Sequence, residues 1–317
     1  MPKQLDIKDA FETVHGLPRP KWKLLRERVC ALTGRERPRD SDWVVLQRHW
    51  LKLIADAAGP RFGIVESDRF MLMTREAQEN QWILELAEQS QKKVLTALGE
   101  RPGETMLGKI PILLFMGEAL YQQHARYWSV DGRPGVSDGC CIRHHGEMHV
   151  ALPALRETRT VLPHELVHAH LGGLMLPTWL DEGVAQMVAR RFKWDASMEL
   201  SSHAKLYWRT RGLEKLWSGQ AFAIPRTEEE QIFAYVFAEL LAREIKRADD
   251  KAFGVFLQKA HAEDAGERAC VEVYGFGLAD WVSRLIGDGD WTPRGDHEPQ
   301  EVVELTEEDE EDDEADA

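Results

Sequence analysis

The stretch VLPHELVHAHLGGLMLPTWLDEGVAQ, residues 161–186, decides how this chain is read. Three histidines and a glutamate fall close together in it: His164, Glu165, His168 and His170. Residues four apart share one face of a helix. His164 and His168 therefore turn their imidazoles toward one point, a clip of the kind that holds Zn²⁺ at Zn–N distances of ~2.0–2.1 Å. Glu165 lies beside that face, placed to take a proton from a metal-held water and return it to a leaving amine. Val161, Leu162, Leu166, Val167 and Leu171 surround the polar face with apolar surface, as a buried helix requires. Pro163 fits a first helical turn, and Gly172-Gly173 marks the helix end.

Two histidines leave a zinc site incomplete, so a third protein ligand is expected, with an open fourth position. His170 is nearest in sequence. It lies six residues beyond His164, about 600° around the helix at ~100° per residue, and points away from the clip. A third histidine six residues after His168 is also missing, because position 174 is Leu. Asp181 and Glu182 remain. Thr178-Trp-Leu-Asp181 matches a capping box, with Thr178 as N-cap and Asp181 at N3. Glu182 then lies one turn inside a second helix. Small Gly183 and Ala185 allow that helix to approach its neighbours closely. A helix, a tight turn and a returning helix bring Glu182 toward the clip, giving the donor set His164, His168 and Glu182.

HELVH followed by PTWLDEGVAQ resembles the gluzincin metallopeptidases, and more narrowly the peptidase MA-like group. Its pattern is HExxH, a short spacer, then Pro-x-Trp-Leu-x-Glu-Gly-x-Ala. The resemblance covers roughly residues 105–287 and implies a peptidase with one catalytic Zn²⁺ and a peptide or protein substrate. In that group the Glu of the second block is the third zinc ligand, which maps onto Glu182. The group also carries a Tyr on a later helix. This makes Tyr235, within EEQIFAYVFAELLAREI, the first choice as donor to the oxyanion, with Tyr274, His203 and His261 behind it. A packing role for Tyr235 on an apolar stripe is equally open. The chain departs from the group at Gln186, where Tyr is frequent. It also shows no export signal, although such proteins are commonly exported or membrane-attached. Two other readings stay open: a gluzincin-like scaffold without turnover, and a zinc hydrolase acting on a non-peptide amide. Glu165 argues against the first, since a dead scaffold has no use for the base.

The rest of the chain supplies the setting. With 317 residues and 43% hydrophobic content, it can bury a sizeable core. Its net charge of −14 argues against nucleic acid as a partner. Much of that charge sits in TEEDEEDDEADA (306–317), which reads as a disordered tail. Cys30, Cys140, Cys141 and Cys270 show no CxxC spacing and read as reduced thiols. Neither a signal peptide nor a long apolar span is visible, so the expected compartment is the cytoplasm.

Helical spacing predicts helices over 43–58, the second half of 66–99, 228–247, 251–262 and 278–287. In 228–247 the spaced residues are Ile232, Tyr235, Val236, Glu239, Leu240 and Ile245. KIPILLFMG (109–117) and MHVALPAL (148–155) read as strands, and FMLM (70–73) suits a third. MHVALPAL is taken as an edge strand along which an extended peptide would pair. His144, His145 and His149, before or within it, read as surface histidines. The eleven tryptophans read as packing residues.

The expected fold is α+β. It comprises a mainly helical N-terminal region (1–104), a zincin-like catalytic domain (105–290) and a linker with the acidic tail (291–317). The catalytic domain would hold a small mixed sheet, an active-site helix and a mainly helical C-terminal part.

Overall fold

The computed structural model describes residues 7–98, 107–128, 139–144, 147–153, 158–190, 200–223 and 227–294. The acidic tail, the LGERPG break from residue 99 on, and His145 lie outside them. The fold is α+β, as expected. Among the described residues no helix is long and apolar enough to cross a membrane.

The chain opens with a hairpin of β1 (Phe11–Val14) and β2 (Leu17–Pro20), turning at His15-Gly16, both with positive φ. Helices α1 (Trp22–Thr33) and α2 (Asp40–Ala58) follow. Then come β3 (Phe62–Glu66), β4 (Phe70–Arg75), α3 (Trp82–Leu98), β5 (Ile110–Phe115) and α4 (Glu118–Tyr127). After β6 (Cys140–His144) and β7 (Glu147–Pro153), the described elements are helical. The five-stranded sheet runs β3-β4-β5-β7-β6 and is mixed. β4, β5 and β7 are parallel neighbours, flanked by antiparallel β3 and β6.

Two sequence expectations change here. β4 pairs with β5, Phe70 opposite Ile110 and Met73 opposite Leu113, so one sheet takes strands from both sides of residue 104. Further, MHVALPAL is not the edge. β7 lies between β5 and β6, and all seven of its residues are buried. A strand covered on both faces reads as a nearly unbroken apolar run, and this one does. The edges are β3 and β6, and β6 folds back antiparallel on β7.

Contacts divide the chain into two compact units. One holds residues up to Gln91 and the run ending at Ala169; the other holds the part of α3 from Lys92 onward and the chain from His170. In the first unit, α2 begins with Asp40 and Asp42, favourable at a helix N-terminus, and buries Trp43, Leu46, Trp50 and Ile54 at helical spacing. They pack with Trp22, Met71, Leu113 and Phe115 in one core cluster.

That core encloses a polar network. The Glu147 carboxylate (2% exposed) accepts from Trp43 Nε1 and from Gln47 Nε2, the latter at 2.7 Å. Next to it on β7, His149 is 1% exposed and not a surface histidine. Its Nε2 is 2.9 Å from Nε2 of His124 on α4, and Trp50 and Trp128 pack edge-on against its ring. Its place at an inward position of a covered strand is the reason.

The second unit is built on helices α6 (Thr178–Ala189), α7 (Ser202–Arg211), α8 (Glu214–Trp217), α9 (Gln220–Ala223), α10 (Glu228–Ala248), α11 (Asp250–Lys259), α12 (Glu267–Tyr274) and α13 (Leu278–Ile286). Thr227 caps α10, accepting from Glu230 N at 3.1 Å; three glutamates open the helix, and Lys246 and Arg247 close it, matching its dipole. Its buried face is Ala234, Phe237, Ala238, Leu241, Ala242 and Ile245, while Ile232 stands 52% exposed. Of the expected stripe, Glu239, Leu240 and Ile245 are buried and Tyr235 and Val236 half-buried; only Ile232 faces out, because α6 packs on the alanine side of the helix. Trp291, at the start of the expected linker, is buried and accepts from Trp217 Nε1 at 3.1 Å.

The network of Glu147 makes stability depend on pH. Burial pushes its carboxyl up to about 8, against the hydrogen bonds of Gln47 and Trp43. It holds its proton in the folded protein at neutral pH but releases it on unfolding, where its ordinary value is near 4.5. Its stabilising contribution is full below the unfolded value and is lost as pH rises toward about 8. Burial pushes His124 down, so its contribution is lost in the other direction, as pH falls below the ordinary histidine value. Urea midpoints should therefore fall between about pH 5 and 8 more steeply in wild type than in Glu147→Gln. Equal slopes would count against this assignment.

Candidate metal centre

Helix α5 (Thr158–Leu171) carries the motif. It starts before the described motif residues, so Pro163 stands at its sixth position and not in its first turn. There it withholds one N–H from the helix ladder, leaving the Arg159 carbonyl without its usual donor. The Arg159 guanidinium lies over the Trp82 ring at 4.7 Å, in the same unit. The helix ends at Leu171, immediately before Gly172-Gly173, as expected.

On α5, Nε2 of His164 and Nε2 of His168 are 3.0 Å apart, the rings nearly perpendicular. Two nitrogens each ~2.0–2.1 Å from one tetrahedral ion stand about 3.3 Å apart, so the pair fits a shared Zn²⁺ with a small adjustment. Ligand atoms of His164, His168 and Glu182 all lie within 4.8 Å of one another. Among the described residues no other group of three His, Cys, Asp or Glu side chains meets that spacing. One neutral-ligand pair and one carboxylate is a donor set suited to catalytic zinc. His164 and Glu182 are half-buried and His168 is 8% exposed, so the group is not sealed.

A second histidine pair provides a control. His124 and His149 have almost the same Nε2 separation, 2.9 Å. No third donor joins them within that spacing among the described residues, and Trp50, Trp128 and Phe115 pack around the rings. Separation alone therefore does not mark a metal clip; the pair on α5 differs in having a carboxylate within that spacing.

Glu165 is 6% exposed, beside His164. Gly139, the residue before β6, is close by: a Cβ there would stand 3.4 Å from Glu165 Cγ and 2.7 Å from Val161 Cγ1. His170 is 2% exposed and is not one of the converging three. Arg143 on β6 was not singled out by the sequence. Its guanidinium donates to the backbone carbonyl of His168 at 3.1 Å. The only trace in the sequence is a charged residue directly after the apolar Cys140-Cys141-Ile142.

The capping box at Thr178 is corrected. Pro177 is the N-cap, with φ −60° and ψ 141°, and its carbonyl accepts from Leu180 N and Asp181 N. Thr178 is already helical, and no side chain caps this helix. Proline's fixed φ suits that position as well as a threonine would. Asp181 keeps a favourable place in the first turn of α6, by its charge and not by a cap bond. Glu182, Gln186 and Arg190 follow four apart along α6. Arg190 Nε donates at 2.5 Å to Glu239 of α10, a carboxylate only 1% exposed.

The remaining candidates are dispersed. Tyr235 is half-buried on α10, edge-on to Phe222 at 5.2 Å. Tyr274 packs against Trp281 and Phe256, and burial raises its phenol. His203 is exposed beside Glu229, and His261 lies beside Glu263. None of the four cysteines is in a disulfide.

The helix bearing Glu182 touches α10 backbone to backbone. A Cβ on Gly183 would come 2.4 Å from the Ala238 carbonyl oxygen. In a helix interior, Gly to Ala ordinarily gains about 0.5–1 kcal/mol. Here the clash with a carbonyl should reverse the sign, with Gly183→Ala losing about 1–3 kcal/mol in urea denaturation. A raised midpoint would show that the two helices are not in contact there.

Comparison of the sequence with protein-family models and with the curated proteins gives no match in either case.

Proposed function

We propose that this chain is a zinc metallopeptidase of the gluzincin type, with a zincin-like fold and His164, His168 and Glu182 as the zinc ligands. The observation that carries the reading is the convergence of two imidazoles and one carboxylate, with a second carboxylate, Glu165, on the residue next to a ligand. Zn²⁺ held by this triad would supply a Lewis acid for the scissile carbonyl and for water. Glu165 takes the proton of the attacking water and delivers it to the leaving amine nitrogen, so the proton count balances. Burial of Glu165 restricts the carboxylate to few rotamers and keeps it beside the reacting atoms. Tyr235 is the proposed donor to the oxyanion, on the resemblance alone. An extended peptide would pair along β6, the edge that β7 was expected to be. The proposed compartment is the cytoplasm.

Glu165→Gln should keep one zinc per chain and lose peptide hydrolysis by about a thousandfold. Glu182→Ala should lose the zinc as well. The measurements are metal content and digestion of a peptide library with and without chelator. One zinc per chain in the double variant His164→Ala/His168→Ala would refute the triad, and chelator-insensitive cleavage would refute the mechanism.

A further inference from the structure

We infer that β6 is keyed to the metal helix by Arg143, which acts as a positioning residue for His168. This rests on the reading of His164, His168 and Glu182 as zinc ligands. The argument begins with the end of α5. His168 stands in the last turn of a helix ending at Leu171, and a backbone carbonyl has two lone pairs, so its oxygen can accept a side-chain donor as well as a helical N–H. The Arg143 guanidinium donates to that carbonyl at 3.1 Å. A cation there also meets the negative end of the helix dipole. Arg143 is itself fixed by the strand ladder, where it pairs with Met148 of β7.

A second contact keys the other end of the same strand. Gly139 precedes β6, and a Cβ there would meet Leu152 Cδ2 at 2.4 Å, Val161 Cγ1 at 2.7 Å and Glu165 Cγ at 3.4 Å. The absent side chain lets the chain pass against the turn that carries Glu165. Four residues later Arg143 holds the turn that carries His168. Strand and helix therefore run alongside each other over the helical turn between base and ligand. Any slip of α5 along β6 would move both relative to the strand edge. Arg143 opposes that slip through a backbone atom, so it orients His168 without touching the imidazole.

The test uses the full chain, zinc and cobalt. Zinc affinity is measured by chelator competition, the visible spectrum by Co²⁺ loading, and kcat and KM on one cleaved peptide. Partners outside the ligand shell are typically worth 10–100-fold in metal affinity or activity, so Arg143→Ala should weaken zinc binding about tenfold, with kcat lowered and KM within about twofold of wild type. The cobalt spectrum of Arg143→Ala should shift, since the ligand geometry relaxes. Arg143→Lys, which keeps a cation able to reach the carbonyl, should recover most of the loss. If Arg143→Ala does not fold, Arg143→Gln takes its place with the same expectations. Zinc affinity and cobalt spectrum unchanged in a folded Ala or Gln variant would overturn the inference while leaving the peptidase reading intact. Wild type that neither binds zinc nor cleaves peptide would remove that reading, and this inference with it.

Discussion

Two imidazole nitrogens 3.0 Å apart on successive turns of α5 constrain everything built around them. They converge because positions four apart share a helix face, and they hold a common direction only if the helix does not slide or fray. Much of the surrounding structure restrains α5 in that sense. Apolar residues bury it, Gly139 lets the chain before β6 press against it, and Arg143 anchors its final turn. In the other unit, α6 is held against α10 by glycine-to-backbone contact and by the Arg190–Glu239 pair. Breaking such a buried pair leaves an uncompensated charge, so it resists loss more than an exposed pair would.

The sheet serves two faces with different chemistry. Toward α2 it presents Glu147 and His149, locked among tryptophans with their polar atoms partnered. On β6, the next strand, Arg143 reaches α5. The alternation of side chains along neighbouring strands allows both within one layer. Histidine is therefore used in two ways in one molecule. One pair is partly open and converges with a carboxylate, and the other is sealed among aromatic rings.

Much of this was legible in the sequence where local rules suffice. Residue spacing predicted α2, α3, α10, α11 and α13, and unbroken apolar runs predicted β4, β5 and β7. The convergence of His164 and His168 was readable for the same reason: a single helix determines it. What escaped depends on partners distant in sequence. Ile232 lies on an apolar stripe yet faces out, because α6 selects the alanine face of α10. His149 looked like a surface histidine because its neighbours Trp50 and His124 are remote in the chain. Arg143 gave no signal, since its acceptor is a backbone carbonyl that any residue could provide. Pro177 took the cap because proline's fixed φ competes with a threonine side chain, and composition alone does not rank the two.

The parallel pairing of β4 with β5 also governs how this protein can be dissected. A fragment beginning near residue 105 would discard β3 and β4 and strip the long side of β5 of its ladder partner. The newly bared run, Ile110 to Phe115, is apolar and free of charge, the kind of exposed border that recruits other chains into aggregates. Residues preceding the histidine motif by a hundred positions are thus part of the platform that supports it. A soluble minimal piece carrying the motif has to retain them.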